Sequence, residues 1–203
     1  MSHSVPLVTA RSGKDIDEIA YHLVEAFQPE AVRMLTWFDV ERYMEFELKN
    51  QTGVEPVYRP LGEGLEGFIS IEKMLCVICE RAANHGGDDV KRRRLRATQA
   101  HEVGHCHLHV EEFRRTRATL ELRHDKRHAD TYLYRQEERK VYRNPEWQAW
   151  RFAGALLMPE PCLRRAVDCK WTLQTMSRAF DVNPSFVEVR LHDLRVAKRV
   201  KAR

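Results

Sequence analysis

Apolar positions along the chain alternate between two periods, and the changes of period mark the elements. From Ser12 onward Ile16, Ile19, Ala20, Leu23 and Phe27 recur at helical spacing, with Ser12 or Asp15 as cap and Pro29 as stop. A less regular helical pattern runs from about 29 to 49 through Val32, Leu35, Phe38, Val40, Tyr43 and Phe46, and within it Trp37-Phe38-Asp39 reads equally as a strand fragment. Between 51 and 80, Gly53, Pro56, Pro60, Gly62, Gly64 and Gly67 punctuate short β-prone runs around Val57-Tyr58, over 67–71 and over 73–79, which predicts a small antiparallel sheet. A turn at 84–89 then leads into a helix that continues to His109, with Leu95, Ala97, Ala100, Val103 and Leu108 as its apolar contacts.

Residues 111–143 carry dense charge of both signs and read as exposed helix or loop with local ion pairs. Asn144-Pro145-Glu146 opens the next helix, with a cap, a proline at the first helical position and an acid in the first turn. Trp147, Ala149, Trp150, Phe152, Ala153, Leu156, Leu157 and Met158 make it apolar on most sides, so it is expected to be buried against the preceding helix. The remainder predicts two helices, over 171–180 and 185–196, around the turn Asp181-Val182-Asn183-Pro184, which resembles a helix-turn-helix. The fold class is therefore α+β, with a division into 1–165 and a C-terminal helical segment 166–203.

Composition narrows the class. At 203 residues, with 43% hydrophobic and 32% charged, the chain is globular with a strongly solvated surface. No apolar run approaches the roughly 20 residues of a membrane span, and the first residues lack the apolar core of a secretory signal. Five cysteines, an odd number without framework spacing, are expected to be reduced thiols in a cytoplasm. The net charge of +4 favours an anionic partner only slightly. Cys76 and Cys79 read as small apolar residues of a buried strand, the run 91–96 as a solvated helix face, and His124 with His128 as a surface pair. Nucleic acid is a partner the C-terminal helices and basic tail allow but do not favour.

The chemistry is concentrated in His101-Glu102-Val103-Gly104-His105. Positions i and i+4 share one face of a helix, so His101 and His105 can bind one metal ion, and Glu102 beside them can take a proton from a water held there. A catalytic zinc site wants three protein ligands and an open position. Glu111 stands where a third histidine would make a metzincin, and Leu108 where that motif needs glycine, which argues against that class. His107 points off the ligand face, and His109 reads as a second-shell or packing residue. The third ligand is then a carboxylate from a later helix, with Glu146 as the best candidate, though Glu146 also suits a helix-dipole role.

The segments Ala100-His101-Glu102-Val103-Gly104-His105 with Leu108-His109, and Glu146-x-x-Ala149-x-x-Phe152-Ala153-x-x-Leu156-Leu157-Met158-Pro159, resemble the ImmA/IrrE family of metallopeptidases. The resemblance implies a zincin-like metallopeptidase fold, Zn2+ as cofactor, His101, His105 and Glu146 as metal ligands and Glu102 as catalytic acid/base. It further implies intracellular proteolysis of a partner protein, typically a helix-turn-helix repressor, in control of transcription or a stress response. The sequence departs from the family at Ala149-Trp150, where Ala-Asn is common, at Gln148, where another Glu is frequent, and in the longer charged stretch 111–143.

Overall fold

A computed structural model of the chain describes residues 8–115, 121–125 and 141–197, the strand at 121–125 by its backbone alone. Helix α1 (Gly13–Phe27) begins at the expected cap. Ser12 Oγ accepts from the Asp15 amide and the Asp15 carboxylate accepts from the Ser12 amide, a reciprocal capping box. The irregular pattern after Pro29 breaks into three short helices, α2 (Pro29–Met34), α3 (Val40–Phe46) and α4 (Leu48–Thr52), where one longer helix was expected. The break lies at Leu35, which caps α2 in the left-handed region at φ 53°. Residues 37–39 are neither helix nor strand. The Gln28 side chain holds that loop, donating to the Trp37 carbonyl and accepting from the Asp39 amide.

The sheet contains β1 (Glu55–Arg59), β2 (Leu65–Ser70), β3 (Leu75–Cys79) and β4 (Glu121–Asp125) in the order β1-β3-β2-β4. It is mixed, not antiparallel as expected: β3 pairs antiparallel with β2 but parallel with β1. β2 and β3 form adjacent antiparallel strands, and β1 takes the far edge of β3, where it runs the same way as β3. The fourth strand lies in the charged stretch read as helix or loop, and it pairs antiparallel with β2. Charged residues are compatible with an edge strand, where they discourage further pairing. Cys76 and Cys79 are buried free thiols in β3, as their apolar reading required. Of the histidine pair His124 and His128, the first lies on β4 and the second outside the described residues.

After a short α5 (Glu80–Ala83), Asp88 caps the long helix α6 (Asp89–Leu108), which is followed by α7 (Val110–Arg115). Helix α8 (Pro145–Leu157) starts where expected, with the Asn144 side chain accepting from the Glu146 and Trp147 amides. Residues beyond Pro159 form three helices and not two: α9 (Glu160–Asp168), α10 (Leu173–Phe180) and α11 (Pro184–Asp193). Helix α8 lies between α1 and α6, and the sheet covers α6 through β2 and β3. One apolar core joins residues from Val8 to Val196, those of α9 to α11 included.

Two buried charge clusters tie this arrangement together. Asp17 of α1 receives Arg151 Nε of α8 at 2.9 Å and Arg190 Nη1 of α11 at 2.9 Å. Asp181, in the turn before α11, binds Arg92, Arg93 at 3.2 Å and Arg96 at 3.3 Å from the start of α6. The basic run is thus a structural clamp as well as a surface, and Arg96 is buried with its Nη2 donating to the Phe38 carbonyl. The helical period could not reveal this, because the anion comes from a turn remote in sequence. Among the described residues no helix is long and apolar enough to cross a membrane.

Gly104 of α6 faces α8 at close range: a Cβ there would lie 3.1 Å from the Ala149 carbonyl oxygen and 3.2 Å from Phe152 Cβ. Two stability measurements test these contacts by urea unfolding. Asp17→Asn leaves two buried guanidinium groups short of their anion and is expected to cost about 3–5 kcal/mol. A loss under about 1 kcal/mol would show that Asp193, 3.3 Å from Arg151, suffices. Gly104→Ala gains about 1 kcal/mol of helix propensity but pushes backbone against backbone at about 1–3 kcal/mol, so a net loss is expected. A more stable variant would mean that α8 yields easily.

Candidate metal centre

The motif helix and α8 bring three side chains to one point. His101 and His105, one turn apart on α6, meet at 3.0 Å between their Nε2 atoms. Glu146, in the first turn of α8, sets Oε2 3.2 Å from His101 Nε2 and Oε1 3.3 Å from His105 Nε2. The three residues form a group whose ligand atoms all lie within 4.8 Å of one another. Ligands about 2.0–2.1 Å from one tetrahedral zinc lie about 3.3 Å apart, so the observed separations fit such an ion closely. The donor set, two imidazole nitrogens and a carboxylate, is one that zinc accepts. The three sequence-chosen ligand candidates are thus brought together, and Glu102 stands beside them.

Two features of the helices produce this geometry. The i, i+4 spacing stacks His101 over His105 on the face of α6 that meets α8. Gly104 lies on the same interface and lets Ala149 seat against it. Glu146 precedes Ala149 by three positions, one turn, and so projects toward the histidine pair.

The electrostatics favour positive charge at the convergence point. His101 and His105 are buried, and the Glu146 side chain is 12% exposed. Burial works to raise the Glu146 carboxyl, but the charge and hydrogen bonds of His105 and His101 outweigh it and hold it well below the usual carboxylate range. Glu102 is fully buried, and among the described residues neither of its oxygens has a hydrogen-bond partner. Burial, with smaller contributions from Cys76 and Glu146, pushes its carboxyl well above the usual range. A cation in the adjacent cluster opposes that shift.

The neighbours were only partly anticipated. His107 turns away from the cluster, as expected from its phase: its Nε2 meets the Tyr43 hydroxyl at 2.8 Å, its ring stacks on Phe152, and burial pushes it down to about 4. His109 Nδ1 lies 3.0 Å from His105 Nδ1, and His109 Nε2 lies 3.1 Å from Gln148 Oε1, so it backs His105 without joining the cluster. Three contributors were not identified from sequence. Gln148 was noted only as a departure from a family pattern. Trp150 sets its ring 4.4 Å from that of His101. Gly67 of β2 faces Glu102 so closely that a Cβ would lie 3.0 Å from Glu102 Oε1. A glycine inside a β-prone run is the one available signal for the last, since it marks a close approach. Nothing local distinguishes Gln148 or Trp150 from the rest of an apolar helix.

No family model matches the chain, and no curated protein matches it. Among solved structures, a Mycobacterium tuberculosis transcriptional regulator superposes with a TM-score of 0.55 at 17% identity, over 88% of this chain and 46% of that one. The chain spans less than half the length of that protein, and a likeness at this identity speaks to the fold alone: a mixed α+β architecture, mostly helical, around a small sheet.

Proposed function

We propose that the chain is a zinc-dependent endopeptidase with a zincin-like fold that hydrolyses a peptide bond in a partner protein. The observation that carries this reading is the convergence of His101, His105 and Glu146 within reach of one ion, with the buried carboxylate of Glu102 beside it, which has no hydrogen-bond partner among the described residues. His101, His105 and Glu146 would hold the metal. Bound there, such an ion supplies Lewis acidity, which polarises a carbonyl and brings the ionisation of water towards neutral pH.

Glu102 supplies the proton chemistry. A base works best when its proton affinity lies near the working pH, and burial raises that of Glu102 from the ordinary carboxylate range. Among the described residues its oxygens accept no competing hydrogen bond, so a proton taken from water has an acceptor there, and the same oxygen can pass it to a leaving amine. Gly67 holds the β2 backbone against this carboxyl and limits where it can swing. Trp150 packs its ring beside that of His101.

The substrate follows from the resemblance to ImmA/IrrE peptidases: a helix-turn-helix repressor in a cytoplasm, cut in control of transcription or stress response. The name of the structural neighbour, a transcriptional regulator, agrees with a place in gene regulation. The same name favours a second reading, in which the chain regulates by binding DNA or a protein through α10 and α11.

The purified chain is expected to hold about one zinc per molecule, and His105→Ala together with Glu146→Ala to remove it, as read by elemental analysis. Glu102→Gln is expected to keep the metal but lower cleavage of a helix-turn-helix repressor substrate by about 100- to 10,000-fold. Cleavage that survives Glu102→Gln would sink the peptidase reading. Retention of duplex DNA at moderate salt, without cleavage of any repressor, would favour the second reading.

A further inference from the structure

The polar chain behind His105 has a fixed hydrogen-bond direction. Gln148 Nε2 lies 2.9 Å from the Thr9 carbonyl oxygen and 2.7 Å from the Tyr142 carbonyl oxygen. Both partners only accept, so this end of the amide must be the NH2 group, and Oε1 must face His109. The oxygen, 3.1 Å from His109 Nε2, can only accept, so His109 Nε2 carries a hydrogen. A neutral imidazole then has a bare Nδ1, and this nitrogen faces His105 Nδ1 at 3.0 Å. His105 must donate there, which leaves its own Nε2 bare and aimed at Glu146 and His101. The opposite arrangement sets two acceptors, His109 Nε2 and Gln148 Oε1, against each other. A doubly protonated His109 would be a cation with no exposed surface, next to a second imidazole.

We infer that His109 and Gln148 are positioning residues that fix the tautomer of His105, so that its Nε2 lone pair is presented to a metal ion before the ion arrives. The proposal rests on His105 being a metal ligand, as under the proposed function. The direction originates in the backbone: Thr9 precedes α1 and Tyr142 precedes α8. These segments are themselves joined by the Val8 amide to the Arg143 carbonyl at 3.0 Å and the Arg11 amide to the Tyr142 carbonyl at 3.1 Å. This accounts for glutamine at 148, because a glutamate would turn a second oxygen toward two carbonyl oxygens. A ligand histidine ordinarily gives its distal N–H to a carboxylate, carbonyl or water. Here a second histidine takes that place and hands the requirement on to an amide.

The test combines spectroscopy on the metal-free chain with zinc titration. Long-range proton–nitrogen correlation spectra of the metal-free protein, labelled at histidine, are expected to find hydrogen on Nδ1 of His105 and on Nε2 of His109. Zinc alone, titrated against a chromogenic chelator, is expected to bind His109→Leu and Gln148→Leu about 10- to 100-fold more weakly. His109→Gln, whose side-chain oxygen can still accept from His105, is expected to stay within a few-fold of the parent. Far-ultraviolet circular dichroism confirms that each variant is folded. Hydrogen on Nε2 of His105 in the parent would overturn the proposal whatever the variants do, and so would a folded His109→Leu chain that binds zinc as tightly as the parent. A parent that binds no zinc yet has the stated tautomers would remove the metal reading while upholding the hydrogen-bond direction.

Discussion

Where a Cβ on Gly104 would sit only 3.1 Å from the Ala149 carbonyl oxygen, helices α6 and α8 meet backbone to backbone. Helix pairs separated by ordinary side chains stand 8–10 Å apart. This contact fixes how far the first turn of α8 lies from the histidine pair, and so whether the Glu146 carboxylate reaches it. Ala149, a small residue on the α8 side, and Gly104 between the two histidines are thus as much part of the centre as the ligands are. The other layers hold the contact shut: α1 backs α8 through Asp17 and Arg151, and β2 backs α6 through Gly67.

The protein also sorts its buried charges. Arg151 and Arg190 pair with Asp17, and Arg96 pairs with Asp181. Among the described residues Glu146 is paired with histidines and not with arginine. These arginine–aspartate pairs are separate from the cluster of His101, His105 and Glu146. A buried carboxylate with only imidazoles for company is costly unless positive charge joins it, which is the condition a metal site must meet.

Local patterns made much of this legible. The capping box at Ser12, the Asn144-Pro145-Glu146 start and the i, i+4 histidines each depend on neighbours within a turn, and each lies where the sequence implies. Glu146 was reachable because small residues follow it at helical spacing. What failed depended on partners far along the chain. That β1 takes the free edge of β3 and runs parallel to it is a fact of strand order and connection that no single strand carries. The break at Leu35 comes from a left-handed residue that a periodic pattern does not mark. The helix α9 was overlooked because Pro159 was read only as the end of the preceding helix, whereas it caps α9 and Pro161 follows in the first turn, where proline is well tolerated. Gln148 drew notice only as an unusual letter, since its role is set by two carbonyl groups in other segments.

The clamp at Asp181 bears on how this molecule can be dissected. The turn before α11 pairs with Arg92, Arg93 and Arg96, at the opposite end of α6 from the His101, His105 and Glu146 cluster, while Phe180, Val187 and Leu191 are buried in the same core as α8. A truncated chain ending before α10 would expose that core and strand three guanidinium groups at the root of the motif helix. Deletion is therefore a poor scalpel for this protein. The roles of its two ends are better separated by single surface substitutions on α10 and α11 that leave the turn, and the charges it gathers, untouched.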